Sequence, residues 1–124
     1  MQWAADGTAL RINGDGEQSR DFTYVANVVE ANLAAARAEG AGGQVFNIAC
    51  GARYSLLDIV ESLEKITGQS LERTHQDARV GDVRHSLADV SAAENVLGYR
   101  TVVSFDEGLS RTWQAFQSAR AAAA

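Results

Sequence analysis

The sequence predicts a small α+β domain built from short strands, one hairpin and about four helices. Three observations predict this class. Apolar residues recur at helical spacing in several stretches, β-branched and aromatic residues mark short strands, and glycines stand between these elements. With 124 residues, of which 46% are hydrophobic, the chain suits one domain spanning residues 1–124. A domain of this size buries roughly two-thirds of its unfolded surface.

The first part of the chain predicts two strands joined as a hairpin. Residues 8–12 alternate loosely between apolar and polar, and residues 19–25 are β-branched and aromatic. Between them, residues 13–16 carry Asn-Gly and Asp-Gly pairs, which favour the positive φ angles of tight hairpin turns. Two further short strands are predicted at residues 44–49, which are mostly apolar, and at residues 71–75.

Four helices are predicted where apolar residues recur every three or four positions. They cover residues 25–38, 55–67, 89–97 and the chain from 104 onward, of which residues 119–124 are expected to fray. The expected buried stripes are Val25, Val28, Val29, Leu33 and Ala36 in the first helix, Leu56, Ile59, Val60, Leu63 and Ile66 in the second, and Phe105, Leu109, Trp113 and Phe116 in the last.

The predicted helix ends carry recognisable signals. Ser55 with Asp58, and Ser104 with Glu107, match the capping box that opens a helix. Glycines follow three of the helices, at residues 40–43, 68 and 98, where the helical pattern stops.

Charge, hydropathy and cysteine content disfavour several classes of function. The net charge of −5 disfavours nucleic-acid binding, because a phosphate backbone needs a basic face. No apolar run approaches the roughly 20 residues of a membrane span, and the first residues lack a signal-peptide pattern. Cys50 is the only cysteine and cannot form an internal disulfide, so a cytoplasmic location is expected. A small buried residue is the favoured role for Cys50 over a nucleophile.

The stretch Gly14-Asp15-Gly16 raises the question of a phosphate-binding loop, and its context favours a turn. A phosphate loop leads directly into a helix, where free backbone N–H groups point at the anion. Here the glycines precede a predicted strand, no lysine follows, and Asp15 and Glu17 would repel phosphate.

Two polar stretches could bind an anionic ligand. Arg20 and Asp21 fit equally well a surface ion pair and an arginine that projects from a rigid strand toward phosphate oxygens. Residues 79–85 hold two arginines, an aspartate and a histidine, which suit either a solvated loop or a site for phosphate and sugar hydroxyls. His75 and His85 lack a metal-ligand constellation, and no nucleophile–base pair is evident, so no metal site is predicted.

The ordered motifs resemble those of extended short-chain dehydrogenase/reductases, the family of UDP-glucose 4-epimerase-like nucleotide-sugar epimerases and dehydratases. GDGEQSRDFTYV at residues 14–25 is similar to the GDGxQxRDFxYV stretch of this family. In the same order follow VFNI at 45–48, RVGDVRHS at 79–86, and AD, LGY and FDEGL between residues 88 and 109. The resemblance extends from about residue 10 to 113 and concerns only the C-terminal part of the family.

The resemblance implies a substrate-binding lobe without its Rossmann domain. Full-length members resemble Rossmann proteins that bind NAD and use a Tyr-x-x-x-Lys pair for catalysis. This chain has one lysine, Lys65, and none of its tyrosines stands four residues before it. The resemblance therefore implies no catalytic residue and no bound cofactor in this chain, with NAD implied for the full-length family, and no activity of the chain alone.

The resemblance also implies a ligand site. Arg20 and Arg79 would contact the diphosphate of a UDP- or dTDP-sugar, Asp82 would lie near the ribose, and Leu10, Ile12 and Asn13 would lie along the base. Three positions depart from the family pattern, which commonly has an aromatic residue at Asn13, aspartate at Asn27 and proline at Thr101.

The expected partners follow from the same resemblance. Two charge-assisted contacts give roughly 3–6 kcal/mol before ordering costs, and a millimolar affinity needs about 4 kcal/mol, so nucleotide-sugar binding by the chain alone is expected to be weak. A lobe that normally packs on a Rossmann domain is expected to expose apolar surface, which favours a homodimer or a separate Rossmann-domain partner. A weak stand-alone binding module and a self-associating structural domain are the alternatives; no nucleic acid or membrane is expected as partner.

Overall fold

The computed structural model describes residues 1–123 and places five helices and four short strands among them. The helices are α1 (Gln2–Asp6), α2 (Val25–Ala35), α3 (Leu56–Thr67), α4 (Ser91–Leu97) and α5 (Phe105–Ala123). The strands are β1 (Leu10–Asn13), β2 (Ser19–Arg20), β3 (Tyr54–Ser55) and β4 (Arg73–Gln76). This mixed arrangement confirms the predicted fold class, with α1 as a further helix that the sequence pattern did not predict. None of these helices is both long and apolar enough to span a bilayer.

The predicted hairpin is wrong, because β1 and β2 pair with different partners. Strand β1 lies parallel to β4, with Leu10 opposite Arg73 and Asn13 opposite Gln76. Strand β2 lies antiparallel to β3 in a second two-stranded sheet. The turn after β1 therefore carries the chain from one sheet to the other.

Packing of the turn against α3 explains this change of sheet. Gly14 and Gly16 adopt positive φ angles of 73° and 85°, as their sequence predicts. The Gly16 carbonyl accepts a hydrogen bond from the Leu57 N–H at 3.3 Å, which brings residues 19–20 beside the edge of β3. After Arg20 the predicted strand ends early, and α2 begins at Val25.

The main core lies between the β1–β4 sheet and helices α3 and α5. The stripes predicted for both helices are confirmed, since their apolar residues are buried or pack against this core. The buried members of the cluster are Ala4, Leu10, Ile12, Val60, Leu63, Leu71 and Trp113.

A second, smaller core joins α2 to α4. It contains Ala31, Ala93 and Tyr99, against which Phe46 and Ile48 pack. The Tyr99 hydroxyl donates to the Ala49 carbonyl at 2.9 Å, and burial raises the pKa of this hydroxyl. This core ties the segment 44–49 to helix α2.

The stripe predicted for α2 is wrong, because its large apolar residues face solvent. Val25 and Val29 are 64% and 50% exposed, and Val28 and Leu33 are also exposed. The buried residues of α2 are Asn27 and Ala31, which lie on a different side of the helix. We call the four exposed residues, Val25, Val28, Val29 and Leu33, the outer stripe.

The strand predicted at residues 44–49 is also absent from the described structure. Phe46 and Ile48 face the second core, whereas Val45 is 91% exposed. A strand requires a neighbouring strand for its backbone hydrogen bonds, and within residues 1–123 this segment pairs with neither of the two-stranded sheets. The apolar pattern therefore identified buried residues at Phe46 and Ile48 but not the conformation of the segment.

The predicted helix ends are largely confirmed. Ser55 and Asp58 form the expected capping box, and Gly68 and Gly98 end α3 and α4. Helix α2 stops at Ala35, before the glycines at 40–43. Helix α5 continues through Ala123, and the predicted fraying of residues 119–124 concerns motion and stays a prediction; Ala124 lies outside the described residues.

Candidate functional site

A polar cleft lies where residues 13–18 face residues 79–84. It consists of two adjoining cavities of about 100 and 460 Å³. Both cavities are lined by Asn13, Gln18, Arg79 and Asp82. The smaller cavity adds Asp15 and Arg84, and the larger one adds Arg20 of β2 with the apolar residues Phe22 and Leu56.

The turn at one side of the cleft is held by hydrogen bonds to its main-chain groups. Gly14 donates its N–H to the Gln76 carbonyl at 2.8 Å, and its own carbonyl accepts from His75 Nδ1 at 2.8 Å. The Gln18 side-chain amide closes the turn by donating to the Asn13 carbonyl at 2.7 Å. Gly16 must lack a side chain, since a Cβ would lie 2.8 Å from Leu57 Cδ2.

The loop at the other side is anchored on β2. The Ser19 N–H donates to the Arg84 carbonyl at 2.9 Å, and the Ser86 N–H donates to the Ser19 carbonyl at 3.1 Å. The Ser19 hydroxyl also lies 2.8 Å from His85 Nδ1. These contacts fix residues 84–86, whereas Val80 in the first half of the loop is fully exposed.

Two ion pairs connect the facing sides of the cleft. Arg20 Nη2 lies 2.6 Å from Asp82 Oδ1, and Arg20 Nη1 donates to the Ser19 carbonyl. Arg84 binds both carboxylate oxygens of Asp15, at 3.1 and 2.8 Å. The Arg84 guanidinium, helped by the backbone N–H of Glu17, lowers the pKa of Asp15 below its ordinary value. The carboxylates of Asp15 and Asp82 are therefore each paired with an arginine.

Most of the predicted site residues come together in this cleft. Arg20, Arg79, Asp82 and Asn13 all line the larger cavity, although about sixty residues separate the two sides in sequence. Among the described residues, the Arg79 side chain makes no hydrogen bond or ion pair, so its donors are available to a ligand. Their contacts with a ligand stay a prediction.

Ile12 does not line either cavity. Its side chain is 3% exposed and belongs to the main core. The place of Ile12 along a base stays a prediction, and the burial of its side chain does not support it.

Arg20 and Asp21 do not pair with each other, so they do not form the surface ion pair that the sequence allowed. Asp21 instead accepts hydrogen bonds from the backbone N–H groups of Cys50 and Gly51, both at 2.9 Å. Its role is structural, because it joins β2 to the segment that follows residue 49.

Gln18 lines the cleft but was not among the predicted site residues. It is part of the GDGxQxRDF motif, so its position carried a usable signal. Arg84 also lines the cleft and belongs to the candidate stretch 79–85, but only the fold reveals that it meets Asp15.

The glycine turn of this chain does not have the geometry of a dinucleotide-binding turn. Gly16 packs against Leu57 instead of facing open space, and the turn leads into β2 instead of a helix. Within residues 1–123, no group of three or more histidine, cysteine or acidic residues could hold a metal ion.

Comparison with known proteins finds a family model and several relatives that are similar to this chain. The family model described as GDP-mannose 4,6 dehydratase matches residues 2–112. The UDP-glucuronate 4-epimerase of Thermodesulfobacterium geofontis is 31% identical over 113 residues, which cover 90% of this chain and 34% of that protein. The matched region is the C-terminal part of such relatives. The chain thus spans about a third of the length of the curated relatives it matches.

Two solved structures share the fold. The UDP-glucose 4-epimerase of Thermotoga maritima, solved with UDP-glucose, has a TM-score of 0.87 and 37% identity, and the match covers 95% of this chain and 38% of that one. The UDP-glucuronic acid 4-epimerase of Bacillus cereus, solved with UDP-glucuronic acid and NAD, has a TM-score of 0.82 and 35% identity, covering 87% and 35%. These similarities confirm the predicted resemblance.

Proposed function

The chain belongs to the GDP-mannose 4,6 dehydratase family, and on that premise we propose that it is the nucleotide-sugar-binding lobe of an NAD-dependent sugar-nucleotide epimerase or dehydratase. The observation that carries this proposal is the cleft. In a chain of net charge −5, it gathers Arg20, Arg79 and Arg84 around two adjoining cavities. Guanidinium groups match the oxygens of a diphosphate better than any other side chain does.

Within this site each group has a distinct proposed role. Arg79 offers its free donors to the diphosphate, and Arg20 adds those not used by Ser19 and Asp82. Asp82 accepts from ribose hydroxyls, and Asn13 lies along the base. A UDP- or dTDP-sugar supplies all three kinds of partner at once.

We propose that the chain does not catalyse epimerisation or dehydration alone. The sequence has no Tyr-x-x-x-Lys pair, and the glycine turn does not fit a dinucleotide. NAD would supply hydride transfer from the part of the family fold that this chain does not match. Turnover of UDP-glucose by the purified chain with added NAD would contradict this proposal. A cytoplasmic location is proposed from the lone Cys50.

Ligand titration tests the binding proposal. We expect UDP and UDP-glucose to shift the backbone amide NMR signals of residues 13–20 and 79–84, with an affinity near the millimolar range. Uridine, which lacks the diphosphate, should bind far more weakly. Arg79→Ala should abolish the response to UDP.

Arg37→Ala is the matched control, because Arg37 is exposed and lines neither cavity. An equal loss of binding in both variants would show that only net charge matters. Micromolar binding by the chain alone would favour the stand-alone binding module over an incomplete lobe.

The outer stripe favours a second candidate function, which is partner binding. Helix α2 buries Asn27 and Ala31 on one side and exposes four large apolar residues on another, and a helix that is apolar on most sides is normally covered on most sides. An apolar cavity of about 350 Å³ adjoins the stripe at Val25.

We propose that the occupant of this face is the α/β part of the family fold that the chain does not match. The relatives are about three times as long as the matched region, so most of their fold has to pack somewhere against it. Residues 44–49 lie beside α2 and need a strand as neighbour, which a sheet edge would provide. This occupant would cover the stripe and pair with the segment together.

Co-expression tests the occupant. The N-terminal remainder of the Thermotoga maritima epimerase, expressed with this chain, should form a complex measurable by light scattering. Val29→Lys should weaken the complex, whereas Leu87→Lys, at an exposed leucine outside the stripe, should not. A concentration-dependent homodimer would instead identify a second copy as the occupant, and a monomer without capture would contradict both.

A further inference from the structure

We propose that Asp15 and Arg84 form a clasp that positions residues 79–82 for nucleotide binding. The proposal rests on the proposed function, since it concerns the same cleft, but it assigns a role to two residues to which neither the motifs nor the comparisons give one. The clasp is the bidentate contact of Arg84 with both carboxylate oxygens of Asp15, at 3.1 and 2.8 Å.

The geometry connects two separately anchored units. Asp15 is part of the turn, which His75 and Gln76 hold on β4. Arg84 is part of the loop, which Ser19 holds on β2. The two units belong to different sheets, and the clasp joins them through side chains that line the smaller cavity. Closing it therefore fixes the distance between the two sides of the cleft.

The clasp matters most when a ligand is bound. The loop residues that the ligand would contact, Arg79 and Asp82, are held across the cleft by the Arg20–Asp82 ion pair. A diphosphate on Arg20 and a ribose on Asp82 would compete with that pair. The Asp15–Arg84 pair would then be the ionic connection left between the turn and the loop. A planar guanidinium with two parallel hydrogen bonds suits such a role, because it fixes orientation as well as distance.

Two other roles make different predictions. If Arg84 were itself a phosphate ligand, Asp15 would compete with the ligand, and its removal would tighten binding. If the pair were an ordinary surface ion pair, neither variant would change the affinity for UDP. A clasp predicts that the two residues act as one unit.

A double-mutant cycle read out by UDP titration separates these roles. We expect Asp15→Ala and Arg84→Ala each to weaken UDP binding by about two- to fivefold, the size of effect an exposed ion pair permits. The double variant should bind no more weakly than either single variant. The exchanged pair, Asp15→Arg with Arg84→Asp, should recover most of the lost affinity. Glu107→Ala, which breaks an ion pair of similar exposure on α5, is the control and should have no effect.

Amide hydrogen exchange in the free chain gives a readout that does not need the ligand. Both single variants should raise the exchange rates at residues 80–82 and leave those of α3 unchanged. Tighter UDP binding by Asp15→Ala, or unchanged exchange in both variants, would overturn the clasp. A wild-type chain that does not respond to UDP would contradict the proposed function, and the exchange rates would still decide whether the clasp closes the cleft.

Discussion

The cleft and the outer face of α2 differ in how many of their side chains have partners within the chain. In the cleft, main-chain donors, both histidines and two of the three arginines all have partners within the described residues. On the outer face, four large apolar residues are exposed, and the neighbouring segment 44–49 lacks a strand to pair with. The chain therefore builds a polar cleft by itself, but leaves an apolar side of α2 exposed.

This difference separates two kinds of dependence. A polar cleft can be assembled by short-range hydrogen bonds between a turn and a loop. An apolar helix face is stabilised when another layer of protein removes it from water, because water forms no favourable contact with it that compensates for its exposure. Substitutions that break individual contacts in the cleft or on α2 test this difference.

Among the substitutions that remove a contact, the largest effect is expected inside α2, at Asn27. Its side chain is fully buried; Oδ1 accepts from the N–H groups of Val102 and Val103, and Nδ2 donates to the Val103 carbonyl, all at 2.9 Å. Asn27→Ala removes these three hydrogen bonds and the longer one from Nδ2 to Cys50 Sγ, and it leaves backbone groups of residues 102–103 unpaired, so the free energy of unfolding should fall by about 3–4 kcal/mol. Urea denaturation measures the change.

Asn32→Ala is the matched control on the same helix. Asn32 is exposed and contacts only the Val28 carbonyl of the preceding turn, so its loss should change stability by less than about 0.5 kcal/mol. Equal effects of the two variants would mean that the hydrogen bonds on the inner side of α2 contribute no more to stability than the one on its outer side.

The next effect is expected in the turn of the cleft, at Gly16. Its φ angle of 85° strains any other residue, and a Cβ would lie 2.8 Å from Leu57 Cδ2. Gly16→Ala should lower the free energy of unfolding by about 2–3 kcal/mol. Gly40→Ala has a similar φ angle of 81° with no atom near the new Cβ, so it isolates the backbone strain. If both variants cost the same, the contact with Leu57 does not hold the turn.

A smaller effect is expected at the capping box that opens α3 beside the cleft. Ser55→Ala should cost about 1 kcal/mol, because the Asp58 N–H loses its acceptor at the helix start. Ser118→Ala, at an exposed serine within α5, should change stability by less than about 0.5 kcal/mol. A thermal or urea unfolding series measures both.

The same box predicts a pH dependence. Hydrogen bonds from the Ser55 N–H and hydroxyl lower the pKa of Asp58 below its ordinary value. A lowered pKa means that the contribution of Asp58 is complete above the ordinary carboxyl pKa and is lost as the pH falls through the lowered one. The wild type should therefore exceed Asp58→Asn in stability at neutral pH, and the two should converge in acid. A constant difference at all pH values would contradict this role.

Local features of the fold could be predicted from the sequence, whereas pairings between distant segments could not. The stripes of α3 and α5 and the box at Ser55 follow from residues within one or two helical turns. The pairing of β1 with β4 joins segments about sixty residues apart, and Asn-Gly turns favour a hairpin without excluding another partner. Periodicity at Val25 and Val29 identified an apolar side of α2, but periodicity does not tell what covers it.

The cleft likewise depends on contacts between distant segments, which the local sequence does not predict. Family motifs pointed to Arg20, Arg79 and Asp82, and the fold brings these three residues to one cavity. Arg84 belongs to the stretch 79–85, which its composition marked as a candidate anion site, but nothing in its local sequence indicates its contact with Asp15. Ile12 illustrates another limit, because the resemblance that implies a place along the base does not tell that the side chain is buried in the main core.

The smallest effect on stability is expected at the outer stripe itself, where Val29 is 50% exposed. Val29→Lys should change the free energy of unfolding by less than about 0.5 kcal/mol, because the side chain buries little surface in the free chain and lysine favours a helix more than valine does. Binding of a hydrophobic dye should nevertheless fall, since the substitution interrupts the exposed apolar stripe.

Ala31→Lys completes the comparison on the same helix, because Ala31 is 2% exposed in the second core. Its charge cannot be accommodated there, so this variant should unfold or lose most of its stability. Similar losses for Val29→Lys and Ala31→Lys would mean that the outer stripe is already covered in solution. The covering molecule would then be a second copy of the chain, and light scattering of the wild type would reveal it.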